Sequence, residues 1–186
     1  RTSRGLGDVY KRQNNPDGKI QKVNEILENH KRLTIIDESF CDLYPENSLI
    51  NLASQPGFII LKSFGKFWGL AGLRLGFAIG RPETVNPIKY ALGPWQISGP
   101  ALSIGCQALH DIKWAEKTRA NLYESAIRLD KIMKRYRLIG GTNLYRLYFV
   151  TDAKKLFRKL ASNKVLIRNF DYNRNWVRIG LPKQEK

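Results

Sequence analysis

Ser63-Phe64-Gly65-Lys66-Phe67-Trp68-Gly69-Leu70-Ala71-Gly72-Leu73-Arg74-Leu75-Gly76-Phe77 is the stretch from which the rest of the chain can be placed. A hydroxyl stands three residues before a lysine and an arginine eight after it, with glycines between them. Lysine condenses with an aldehyde once its ammonium loses a proton, which a partly desolvated pocket beside another cation favours. Arginine offers two parallel charge-assisted hydrogen bonds to phosphate oxygens, and glycines let backbone N–H groups come close. Taken alone, Lys66 reads as one more solvated surface lysine.

Two upstream elements change that reading. Leu33-Thr34-Ile35-Ile36 is a short apolar, β-branched run of the buried parallel-strand type, and it ends in Asp37-Glu38, where open α/β sheets place their ligand crevices. Asp37 in isolation is an ordinary residue after a strand. Beside the lysine loop it has a chemical use, because a carboxylate next to a pyridine nitrogen keeps that nitrogen protonated and the ring electron-withdrawing. Further back, Asn14-Asn15-Pro16-Asp17-Gly18 is a turn signal. A helical stretch follows it, near residues 19 to 30, with Ile20, Val23, Ile26 and Leu27 on one face. Lysine, phosphate ligands and ring acid together describe a site for pyridoxal phosphate.

Asn-Pro-x-Gly, then Asp at a strand end, then Ser-x-x-Lys with Arg eight residues on, form an ordered set. On it the chain resembles the class I/II aminotransferase family, the fold type I pyridoxal phosphate enzymes, from Asn14 onward. The resemblance implies roles by position. Asn15 would bond the cofactor's phenolic oxygen, Asp37 would partner the pyridine nitrogen, Lys66 would bond the aldehyde, and Ser63 and Arg74 would hold the phosphate. Many members have a tyrosine where this chain has Phe40, so one hydrogen bond to the phenolic oxygen is lost. Lys164-Val165-Leu166-Ile167-Arg168 and Trp176-Val177-Arg178-Ile179-Gly180 read as two strands that each deliver an arginine. By the resemblance Arg178 grips the substrate α-carboxylate and Arg168 a distal phosphate; without it, both read as cations guarding a sheet edge.

Local strings narrow the resemblance. The lysine loop, Leu92-Gly93-Pro94-Trp95, Ser98-Gly99-Pro100-Ala101-Leu102, Phe170-Asp171-Tyr172 and Gly140-Gly141-Thr142-Asn143-Leu144-Tyr145-Arg146-Leu147 are similar to the threonine-phosphate decarboxylases of cobalamin biosynthesis. Those enzymes are close relatives of histidinol-phosphate aminotransferases, and the cofactor motifs do not separate the two. The resemblance implies a cytoplasmic homodimer acting on a small phosphorylated amino acid.

It also implies an α/β fold in which residues 14–112 form the C-terminal part of the large cofactor-binding domain. Residues 113–137 form an interdomain helix and 138–186 a small α+β domain. The expected elements are strands 32–36, 58–62 and 73–79, helical patterns from Pro100 to about Arg137, strand 144–150, helix 153–162 and the two arginine strands.

Arg1 to Gln13 has no hydrophobic period, and Asp8-Val9-Tyr10-Lys11-Arg12-Gln13 is the translation of a transposon end used to prepare sequencing libraries. Residues 1–13 are therefore expected to be an assembly artefact, and a targeting arm lacks support because no apolar core follows the basic residues. A family member is about twice this length, so the chain is expected to be a C-terminal fragment, inactive and poorly folded when expressed alone.

The formal charge of +16 invites a basic RNA-binding module as another reading. It is weakened because the first thirteen residues carry +3 of that charge and much of the rest is spread over helices such as Lys113 to Arg137. Phe58, Phe77 and Phe149 are also expected in the core instead of on a stacking surface. No nucleic acid, metal or membrane partner is expected: no run of eighteen apolar residues occurs, and Cys41 and Cys106 lack metal spacing. Two isolated thiols fit a reducing cytoplasm, and His30 and His110 are expected to do no chemistry.

Overall fold

The computed structural model describes residues 8–30 and 32–182. It divides into two compact units, one built from the residues up to Gln13 together with Ile20–Ile112, the other from Asn14–Lys19 together with the chain from Lys113.

The first unit contains β1 (Asp8–Lys11), α1 (Val23–Glu28), β2 (Thr34–Asp37), β3 (Phe58–Ser63), β4 (Gly76–Gly80), α2 (Pro82–Leu92) and α3 (Gly99–His110). Its sheet has the order β1-β2-β3-β4, parallel between β1, β2 and β3 and antiparallel between β3 and β4. Ile36, Phe58 and Ile60 are apolar residues with high strand propensity, and they pack with Ile26 of α1 and Leu52 into a closed core. Short 3-10 turns at Cys41–Leu43, Pro45–Asn47 and Ile50–Ser54 carry the chain from β2 back to β3.

The second unit contains α4 (Ile112–Ile132, beyond its first residue), β5 (Arg137–Thr142), β6 (Tyr145–Phe149), α5 (Ala153–Ser162), β7 (Arg168–Phe170) and β8 (Asn173–Gly180). Its sheet is antiparallel, in the order β5-β6-β8-β7. Ala153, Leu156, Phe157 and Leu160 recur at helical spacing, so α5 presents one apolar stripe to Tyr148, Val150, Val177 and Ile179, while Leu129 and Met133 close the same core.

Several expectations from sequence need correction. Residues 8–11, within the segment 1–13 expected to be an assembly artefact, form β1 and pair with β2, a pairing that does not bear on their origin; residues 1–7 lie outside the described residues. Only Ile26 of the α1 face is fully buried: Ile20, before the helix starts at Val23, is 42% exposed, and Leu27, within it, is 41% exposed. The strand expected over 73–79 begins at Gly76, since Ala71–Leu73 form a 3-10 turn and Arg74 takes a left-handed conformation at φ 53°.

Helix α2 was not anticipated, although proline at its first position is a start signal. Strand β5 was not anticipated either, the helical pattern having been expected to run to about Arg137, its first residue. The first arginine strand begins only at Arg168, because Lys164 turns the backbone at φ 61° and Leu166 stays exposed. Phe77 and Phe149 are 40% and 39% exposed, so of the three phenylalanines only Phe58 is core.

Leu147 is fully buried in the centre of the second sheet. Leu147→Ala is expected to cost about 2–5 kcal/mol, read as a lower denaturant midpoint of that unit.

Candidate active site

Strand register brings part of the expected site together. Thr34 faces Phe58 and Asp37 faces Leu61 across parallel strands, so β2 and β3 end on the same side of the sheet. There the backbone N–H and hydroxyl of Ser39 both donate to Asp37 Oδ1, the former at 2.9 Å, which orients the half-buried carboxylate. β3 ends at Ser63, whose hydroxyl accepts from the Gly65 N–H at 3.1 Å and turns the chain into the lysine loop. Lys66 is exposed, its Nζ 5.6 Å from the ring centroid of Phe40, so the desolvated pocket expected around the amine is not formed by this unit. Phe40 thus stacks beneath the lysine. Arg74 closes the loop, exposed, with a guanidinium nitrogen 3.4 Å from the Ala71 carbonyl. The space over Gly69 and Gly72 is open, because a Cβ added at either would meet nothing within 4 Å.

A buried ion network lies under this loop. Glu38 is almost fully buried and accepts from the Ser48 hydroxyl at 2.6 Å and the Leu49 N–H at 2.5 Å, and Lys62 Nζ stands 3.2 Å from it. Lys62 also reaches Asp42 at 3.0 Å, and Trp68 Nε1, within the loop, donates to Asp42 at 2.9 Å. Burial disfavours the Lys62 charge, yet Asp42 and Glu38 outweigh it and hold the ammonium pKa above its usual value. Ser39, Asp42, Lys62 and Trp68 were not singled out from sequence. Asp-x-Ser after a strand was a usable signal, and so was a lysine inside an apolar strand.

Asn15, Arg168 and Arg178 belong to the second unit, apart from Lys66, Asp37, Ser63 and Arg74. The Asn14–Lys19 turn, assigned from sequence to the large domain, docks on the β5–β6 hairpin: the Gly141 N–H donates to the Asp17 carbonyl at 2.8 Å and the Tyr145 hydroxyl to the Asn14 carbonyl at 3.1 Å. Asn15 Oδ1 accepts from Arg178 at 2.7 Å. Arg178 lies over the Tyr145 ring at 5.1 Å and opposite Arg168 in the β7–β8 register. Burial and the neighbouring Arg168 charge lower its pKa, an arrangement that disfavours two cations and suits an anion between or beside them.

The family model for class I and II aminotransferases matches residues 13–186. The chain belongs to that family. A threonine-phosphate decarboxylase from Pseudomonas aeruginosa is 35% identical, over 92% of this chain and 54% of that protein. One from a Sinorhizobium species is 38% identical, over 90% and 53%. A histidinol-phosphate aminotransferase from Clostridium kluyveri is 27% identical, over 93% and 52%.

The chain spans about half the length of the curated relatives it matches. Among solved structures, the histidinol-phosphate aminotransferase from Clostridium acetobutylicum superposes with a TM-score of 0.84 at 21% identity, over 94% of this chain and 58% of that one. That from Sinorhizobium meliloti, in complex with pyridoxal-5'-phosphate, does so at 0.84 and 19%, over 95% and 53%. The fold is that of the fold type I enzymes, an α/β architecture. Among the described residues no group of three or more His, Cys, Asp or Glu could hold a metal ion, and no helix is long and apolar enough to cross a membrane.

Two outcomes are expected. Burial, with the Glu38 charge beside it, pushes the Cys41 thiol up to about 12, while Cys106 is exposed. At pH 8 iodoacetamide should therefore label Cys106 and spare Cys41, read by peptide mass spectrometry. Gly18 has φ 72°, and a Cβ there would stand 1.9 Å from the Gly141 carbonyl. Gly18→Ala should lower the stability of the second unit by about 1–3 kcal/mol, as the turn carrying Asn15 leaves the hairpin.

Proposed function

We propose that these residues serve a pyridoxal phosphate enzyme that decarboxylates L-threonine O-3-phosphate to 1-amino-2-propanol phosphate. The loop between β3 and β4 carries the reading: one hydroxyl, one amine, one guanidinium and open backbone stand at the strand end beside an oriented carboxylate. That donor set fits a phosphorylated pyridine aldehyde, whose bound ring would supply an electron sink for charge developing at the substrate α-carbon.

In this reading Lys66 offers its amine to the aldehyde, and Ser63 and Arg74 hold the phosphate. Asp37, kept in place by Ser39, faces the pyridine nitrogen and favours its protonated form. Asn15 holds the phenolic oxygen, its own carbonyl already engaged by Arg178. Phe40 packs against the lysine where a tyrosine would donate a hydrogen bond. Arg178 takes the substrate α-carboxylate and Arg168 its phosphate. Orientation of the bond to be broken rests on that carboxylate grip. Decarboxylation is supported over transamination by the higher identity to the two threonine-phosphate decarboxylases, 35% and 38% against 27% and 31% for two histidinol-phosphate aminotransferases.

The chain spans about half its relatives' length, so the reading concerns the full-length protein that carries these residues, and the assay is made on it. Carbon dioxide release from L-threonine O-3-phosphate without added 2-oxoglutarate is expected, and Lys66→Ala should abolish it. Amino transfer from histidinol phosphate to 2-oxoglutarate, with no carbon dioxide, would replace this reading by the aminotransferase one.

A further inference from the structure

Helix α5 is built against its own electrostatics. Lys154 and Lys155 occupy its first turn, where the positive end of the helix dipole disfavours cations and the capping Asp152 is the one acid nearby. Arg158 and Lys159 follow at i+4, giving two like-charge pairs on neighbouring ridges, which destabilise a helix instead of supporting it. The apolar stripe of the same helix is committed to the core, so these cations all lie on the exposed side. Arg174, on β8, joins them. Lys154, Lys155, Arg158 and Arg174, with Thr151 and Asp152, line a concavity of about 750 Å³ at the start of the helix. Asp152 is its one carboxylate, and it already caps the helix by accepting the Lys155 N–H at 2.9 Å. Among the described residues the ion pairs involve Lys62, Arg81 and Arg146, and none of these five cations.

We propose that this concavity is an anion site for a polyphosphate group, separate from the residues assigned above to cofactor and substrate. Two or more linked phosphates would answer cations that converge from a helix and a strand, whereas a single phosphate would engage only some of them. Arg158 and Arg174 supply planar forks for phosphate oxygens, and Lys154 and Lys155 supply point charges. The bound anion would also relieve the repulsion within the first two turns of α5, so binding and the stability of this unit are linked. A short concave wall favours a compact ligand over an extended strand, which would need a longer basic track with aromatic platforms.

Inorganic tripolyphosphate titrated by calorimetry into the full-length protein that carries these residues is the test. Saturable one-to-one binding is expected, weakening as salt rises and raising the melting temperature. Orthophosphate should bind at least about tenfold more weakly. Arg158→Glu and, separately, Arg174→Glu should each weaken tripolyphosphate binding about tenfold or more, while Lys113→Glu with Lys117→Glu on exposed α4 leaves it unchanged. Both Arg variants should melt cooperatively, and Lys154→Ala serves as a milder second variant with a smaller loss.

Absence of saturable binding overturns the proposal, and so does binding that the α5 and β8 variants leave intact. Equal weakening by the α4 control overturns it as well. So does tighter binding of a single-stranded oligonucleotide than of tripolyphosphate, since either would mean a diffuse polyanion surface.

Discussion

Asp37 faces Leu61 and Thr34 faces Phe58 across two strands that run the same way, and the meeting of Asp37 with the lysine loop in the first unit hangs on this register. A slip of one residue would exchange the two faces of β2, burying the carboxylate side and exposing Ile36. Because the strands are parallel their carboxyl ends coincide, and the acid after β2 and the lysine loop after β3 meet on one sheet edge. Glu38 then locks the geometry from beneath. Its buried carboxylate gathers Ser48, Leu49 and Lys62, and Lys62 passes the constraint to Asp42 and so to Trp68 in the lysine loop. A buried acid left unpaired would be costly, so each member of this network holds the others in place.

The second unit solves a different problem by a different device. Two arginines face each other across β7 and β8, which like charges resist, and the structure offsets this with a ring, a carbonyl and an adjoining turn. Tyr145 lies under Arg178 and also holds the Asn14 carbonyl, so one side chain orients both the guanidinium and the turn that carries its acceptor. The close approach of Gly18 to Gly141 is what lets the turn sit there at all. The placement of Arg178 in this unit therefore depends on backbone proximity as much as on charge.

The high positive charge acquires a partial account from these arrangements. Lys62 and Arg146 are spent internally on acids, Arg178 on an asparagine and a ring. Among the described residues the cations of α5 form no ion pair, and their crowding at a helix start opposes the fold that carries them. Conflict between local electrostatics and local structure is where function is most often found.

Residue type and order were enough to reveal the α/β class, the family and the lysine loop, because Ser63, Lys66 and Arg74 lie within one loop and their spacing is a local property of the chain. The apolar runs of β2, β3 and α5 were legible for the same reason: alternation and helical period are written in neighbouring residues. What spacing could not convey was pairing. Residues 8–11 carry too short a pattern to read as a strand, and the partner that gives β1 its hydrogen bonds is β2, more than twenty positions away. Phe77 and Phe149 read as core because apolar runs do not say which face is covered. Asn15 read as a ligand of a cofactor oxygen, and its bond to Arg178, 163 positions away in sequence, was not legible. Burial, register and long-range hydrogen bonds belong to the folded chain alone, since each depends on two segments whose meeting neither encodes.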